Sequence, residues 1–174
     1  MSATALRKSM RVFSVIAAAA AMIITALPSN AAVSGAATTP KVCLPVSLTA
    51  TGRDAIPDPD PVLINTVSDV FLAGYKVATT KAGFTPGGVV GDSLAFAGPI
   101  LFTPTFSTST LTANVQGDVN LTTGKFQATS TSVTGTGALN GISGSLTFLG
   151  TQHFVDGSFT ETITGSLCSR VRPW

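Results

Sequence analysis

One histidine, His153, and one glutamate, Glu161, are the scarcest reactive side chains in this 174-residue chain. A nucleophilic relay would need His153 beside a serine and an acid. Asp156 lies three residues on, across an expected hairpin turn, and no Gly-x-Ser-x-Gly elbow occurs anywhere. Paired carboxylates for glycoside cleavage would have to share one cleft. Asp92, Asp118, Asp156 and Glu161 are instead scattered near turn-like segments, where aspartate is favoured for local backbone bonding. Zinc lacks a ligand set, with one histidine and two cysteines expected to be oxidised. Asp54, Asp58 and Asp60 offer oxygens to calcium, but the alternating Pro-Asp pattern suits a solvated loop, and no loop glycine or distal glutamate follows. Gly135-x-Gly137 is no nucleotide fingerprint, because the third glycine is misplaced and no βαβ unit surrounds it. These residues lead to no assigned catalytic residue, no cofactor and no metal.

Apolar chemistry is better represented. Phe96, Phe102, Phe106, Phe126, Phe148, Phe154 and Phe159 recur through the second half of the chain. They fill a core or, alternatively, line a ligand cavity, with Phe96, Phe102, Phe126, Phe148 and Phe159 the candidates for the lining. Thr103, Thr105, Ser107 and Ser109 alternate along one face, a pattern compatible with a flat polymer-binding array and with ordinary exposed strand residues.

The compartment follows from the first residues. Arg7, Lys8 and Arg11 precede an uncharged apolar run from Val12 to Leu27, then Pro28-Ser29-Asn30-Ala31. Charged start, apolar middle and small-residue end are the parts of a cleavable secretory signal. The run is short of the ~20 apolar residues that a spanning helix needs. Residues 1–31 are therefore expected to be a signal peptide cut near Ala31, residues 32–40 a leader, and residues 41–170 one domain, secreted or in the cell envelope, without stable membrane insertion. After cleavage seven cations face eight acids, a balance of −1. That excludes the basic footprint of a nucleic-acid binder.

Two cysteines, Cys43 and Cys168, stand near the ends of the mature domain. In an oxidising compartment they are expected to pair, tying the first strand to the last. The loop is so long that the chain-entropy model assigns it roughly 4–5 kcal/mol, an upper figure.

Between the cysteines the pattern is β. Leu44 to Ala50 alternates as a strand, and three prolines at 57, 59 and 61 then force an extended loop. Residues 61–73 are ambiguous. Asp60 could cap a helix, Pro61 suits its first position and Gly74 could stop it, whereas Val, Ile and Thr favour strand. A short helix or helix-like turn passing into a strand at Tyr75–Thr80 is the expectation. Further strands are expected at Val89–Ala97, Ile100–Phe106, Thr110–Gln116, Phe126–Val133, Leu146–Phe154 and Ser158–Leu167. Turns are expected at Gly117-Asp118, Thr123-Gly124, Gly141 to Gly144 and Asp156-Gly157. Consecutive strands with short connections predict an all-β, antiparallel domain, and the periodicity leaves barrel and sandwich both open. The immunoglobulin pattern is absent, since the cysteines are too far apart and Trp174 is the only tryptophan.

The stretch from Gly135-Thr136-Gly137 through Asn140-Gly141-Ile142-Ser143-Gly144 to Phe148 resembles a glycine-rich segment of the allene oxide cyclase and dirigent-like secreted barrels. The resemblance spans Asp92 to Cys168. It implies an eight-stranded barrel with a hydrophobic cavity and transfers no catalytic residue, since fold alone does not carry function. The leading functional expectation is a non-enzymatic, secreted or envelope-associated barrel that binds a small apolar ligand. One alternative is a cyclase- or isomerase-like enzyme, with Glu161 or Tyr75 as its polar group. Another is a structural or adhesive surface domain without a pocket.

Overall fold

The computed structural model describes residues 41–55 and 63–170. Residues 1–40, which hold the expected signal peptide and leader, and most of the Pro-Asp loop, including Asp58 and Asp60, lie outside the described residues. Eight strands follow one another: β1 (Lys41–Asp54), β2 (Ile64–Leu72), β3 (Tyr75–Val90), β4 (Ser93–Pro104), β5 (Leu111–Asn120), β6 (Lys125–Gly135), β7 (Ser143–His153) and β8 (Ser158–Arg170). Each pairs antiparallel with its neighbours in sequence, and β8 returns to β1, closing a barrel. Closure gives every strand a partner on both sides, which removes the free edge strands of an open sheet.

Side chains alternate between lumen and solvent, as the pleat requires. Ala50, Val70, Ile100, Phe102, Ala113, Val115, Leu146, Phe148 and Ile163 point inward and are buried. Outside, Thr49, Thr51, Thr79, Lys81, Gln116, Thr129, Thr160 and Thr162 face water. This is the reverse of a membrane-spanning barrel, whose outward face is apolar. Cys43 and Cys168 sit directly opposite each other where β1 meets β8, and they are joined. The disulfide staples the seam that closes the barrel.

Three expectations are corrected. Residues 64–72 form strand β2, and no helix occurs among the described residues of 61–73. The two-residue alternation of the strand is intact, but polar Thr66 and Ser68 take inward positions while Val67 and Phe71 lie on the opposite face, so residue type does not reveal it. Thr66, Ser68 and Val70 enter the lumen, and tertiary pairing on both sides overrides the capping signals. Next, Val89–Ala97 and Ile100–Phe106 are not separate strands. β3 runs on to Val90, the chain turns at Gly91-Asp92, and β4 continues through Gly98-Pro99. Finally, Gly117-Asp118 lies inside β5. A Cβ at position 117 would strike the Gln127 carbonyl and Ala128, so this glycine marks close strand contact and not a turn.

The resemblance segment closes one end of the barrel. β6 and β7 pair only from Lys125 to Thr129, after which the ladder opens and the Leu146 amide donates to Ser130 Oγ at 2.8 Å. A single 3-10 turn, Gly137–Leu139, folds across this end, with Leu139 and Ile142 packed on the core. Ser109, 4% exposed, accepts a 2.9 Å bond from the Ala138 amide. Gly137 has a φ of +58°, and its Cα lies so close to Ser109 Oγ that a side chain would collide. The expected Thr/Ser array is thereby dissolved: Thr103 lies on β4, Thr105 and Ser107 lie in the following turn, and Ser109 is buried.

Candidate functional site

The other end of the barrel, where Asp54, Val90, Asn120 and His153 terminate their strands, opens into a cavity of about 210 Å³. Six phenylalanines line it: Phe84, Phe96, Phe126, Phe148, Phe154 and Phe159. Ile64, Ala82, Leu94, Ile100, Val115, Val119, Leu121 and Ala128 complete the apolar wall. The rings are arranged in pairs, Phe84 with Phe96 at 5.1 Å and Phe126 edge-on to Phe159 at 6.3 Å. Glycines make room for them. The Phe159 ring lies over Gly52, its partner on the neighbouring β1, although the two strands are otherwise fully paired there. The Phe126 ring likewise lies over Gly150 of β7. A β-carbon at either glycine would drive the ring off the wall.

Against this apolar surface stand a few polar groups: Asp54, Thr66, Thr80, Gln152 and Glu161. The Thr80 hydroxyl is 2.6 Å from that of Ser68, so it is already engaged. Gln152 Nε2 donates to Asp54 Oδ1 and to the Gly157 carbonyl, each at 3.2 Å, which fixes the amide at the mouth. Glu161 lies deeper. Its cross-strand neighbours are Ala50 on β1 and Gly150 on β7, both too small to cover the carboxyl or to bond it. No side chain among the described residues donates to it, and burial pushes its pKa up to about 7. The ionised form loses hydration that the phenylalanine wall does not replace.

Most of the sequence candidates for the cavity meet here. Phe96, Phe126, Phe148 and Phe159 line it, while Phe102 lies beyond it toward the closed end, 6.5 Å from the Phe148 ring. Phe106 is exposed in the β4–β5 turn. Phe84 was hidden in sequence by its neighbours Gly83 and Pro86-Gly87-Gly88, which read as loop. Asp54, weighed in sequence only as a calcium oxygen, and Gln152 carried no signal for the cavity, because only the pairing of β8 with both β1 and β7 brings them together. Tyr75, the alternative to Glu161 as a polar group, is 72% exposed at the start of β3, at the opposite end of the barrel.

His153 and Asp156 build no relay. Asp156 Oδ1 accepts from the Ser158 amide at 2.9 Å and from its hydroxyl at 2.7 Å, an Asx-type turn on an exposed hairpin tip. Those bonds, aided by nearby His153, hold the Asp156 carboxyl below its usual range. Among the described residues no group of three His, Cys, Asp or Glu side chains is gathered to hold a metal ion.

No family model matches the chain, and no curated protein does. Among solved structures, that of a pterocarpan synthase dirigent protein is similar, with a TM-score of 0.51 at 11% identity, covering 77% of this chain and 94% of that one. The likeness extends well beyond the segment that suggested it and is one of fold: this chain is a closed eight-stranded barrel similar to that of a dirigent protein.

Proposed function

We propose that the chain is exported and that its barrel then binds one small, mainly apolar molecule in the phenylalanine-lined cavity. The cavity itself carries this reading. A volume of about 210 Å³, apolar except at a few points, exceeds the ~150 Å³ that suffices to hold a benzene molecule in a protein core. A purely structural barrel gains nothing from leaving that space unfilled, since unfilled volume costs stability. Export is supported by the charged, apolar and small-residue order of residues 7–31 and by the disulfide, a bond that persists in oxidising compartments.

Native mass spectrometry of protein recovered from an exporting host tests both parts. A mature chain beginning near Ala32 with an added small-molecule mass is the expected result. Ala82→Phe, which fills the lumen from β3, is expected to abolish that added mass while preserving the fold. Retention of the same ligand by this variant, at the same stoichiometry, would overturn the reading.

Glu161 favours a second reading, an acid-assisted cyclase or isomerase. A carboxyl whose pKa is about 7 is partly protonated at neutral pH and can donate a proton inside an apolar wall. The dirigent protein of similar fold is described as a pterocarpan synthase. On this reading, a ligand recovered from the native protein would be rearranged by it, and Glu161→Gln would bind that ligand without converting it.

A further inference from the structure

Which ligand the cavity accepts is constrained by the hydrogen-bonding capacity left over inside it. Gln152 spends both amide hydrogens, on Asp54 and on the Gly157 carbonyl, so it offers the lumen only an acceptor oxygen. The Thr80 hydroxyl is engaged with Ser68. Asp54 and Glu161 are the titratable groups among the described residues lining the cavity, and both are carboxyls. No Lys, Arg or His joins them: Arg53, Lys81, Lys125 and His153 are exposed on the outer surface or the hairpin tips. The elements around Glu161 present Ala50 and Gly52 from β1, Thr66 and Ser68 from β2, and Gly150 and Gln152 from β7, with Asp54 the other ionisable group among the described residues lining the cavity. Among the described residues lining the cavity, the Thr66 hydroxyl and, when protonated, Glu161 are left to donate, so the lumen is rich in acceptors and poor in donors.

We infer that the cavity takes a single-ring apolar molecule whose polar arm donates hydrogen bonds toward Glu161, a hydrophobic amine or alcohol, and that it rejects carboxylates. This rests on the reading of the cavity as a ligand site. An amine finds a carboxylate partner in a low-dielectric wall, where such a bond is stronger than in water. Once Glu161 is ionised, a carboxylate ligand would stand beside like charge with no cationic side chain of the lining to meet it, and like-charge juxtaposition is one way sites exclude wrong partners. Glu161 also makes amine binding depend on pH. The ammonium ion favours the ionised carboxylate, so affinity rises as pH passes upward through the range where the empty site loses its proton.

Phenethylamine, 2-phenylethanol and phenylacetate, matched in ring and chain, test this by calorimetry on the disulfide-bonded protein. At about pH 5.5 and about pH 8.5, the amine is expected to gain on the order of tenfold in affinity at the higher pH, equivalent to a one-unit pKa displacement. The alcohol is expected to change little, and phenylacetate to bind at least about tenfold more weakly than the alcohol at about pH 8.5, the discrimination of a single unfavourable charge contact, with the gap narrowing at about pH 5.5, where Glu161 holds its proton. Glu161→Gln is expected to remove the pH dependence of the amine. Should that variant fail to fold, the ranking and pH response of the native protein decide the matter by themselves. Binding of phenylacetate as tight as the alcohol at about pH 8.5, or an amine affinity flat with pH, overturns the inference while the ligand site stands. Failure of both the alcohol and the amine to bind removes the ligand-site reading as well.

Discussion

Burying a carboxyl among aromatic rings separates its folded-state pKa from its unfolded one, and that separation is also a statement about stability. Glu161 rises from 4.5 in the unfolded chain to about 7 in the barrel. Between those values the folded state holds a proton that the unfolded state has lost, so stability falls as pH rises and levels off above 7. The loss is on the order of 3 kcal/mol across that window. Urea unfolding from pH 4 to pH 9 is expected to show this decline. Glu161→Gln is expected to flatten it and to be the more stable protein above pH 8; an identical slope in both proteins would show that the carboxyl is better solvated than its surroundings indicate. Ser109 is the corresponding residue at the closed end. Ser109→Ala leaves the Ala138 amide without its partner, and the expected cost is ~1–3 kcal/mol, read as a lowered urea midpoint with an unchanged slope.

Strands in this barrel are shaped as much by what they omit as by what they carry. Gly52 and Gly150 sit on otherwise regular ladders, and each supplies the space under an aromatic ring of the next strand. Gly52→Ala and Gly150→Ala are each expected to destabilise by ~1–3 kcal/mol through overpacking and to weaken ligand binding, because the displaced Phe159 or Phe126 ring must swing into the cavity. Gly137→Ala separates a backbone effect from a packing one. It forces a side chain to φ +58° and against Ser109 at the far end, so stability is expected to fall with ligand affinity unchanged. Thermal melts with and without a bound aromatic probe distinguish the two classes. The same local chemistry explains what could be read in advance. Asp156-Gly157 and Thr123-Gly124 are true turns, with positive φ at both glycines, because their geometry is decided within four residues. Gly117 and Gly144 are strand residues, because their requirement comes from a neighbouring backbone far away in sequence.

Closure makes the molecule a single cooperative object, since the pairing of β1 with β8 joins residues more than a hundred positions apart. The Cys43–Cys168 bond spans 125 residues and lies on that seam. Replacing both cysteines by serine is expected to cost ~2–5 kcal/mol, seen as a lower melting temperature. Unfolding of the reduced protein should begin at the β1–β8 ladder, so amides of Val46, Leu48 and Ile163 are expected to lose hydrogen-exchange protection before those of Ala113 and Val115. Protection lost evenly over the whole barrel would place the weak point elsewhere. A chain this poor in ionisable groups relies on the ladder and the lumen, and the exposed ion pair of Lys76 with Asp69 adds little.

Sequence alone carried the all-β class, the pairing of the cysteines, the tight hairpins and the aromatic character of the interior, because each depends on residue type and short-range order. It misread residues 61–73, where polar Thr66 and Ser68 face inward and capping signals point to a helix that the flanking strands exclude. The choice of barrel over sandwich, the emptiness at one end of the lumen and the meeting of Asp54, Gln152 and Glu161 were decided only by the tertiary structure. Those features arise when the last strand finds the first, and the free energy of that pairing is shared among residues whose local preferences are silent about it.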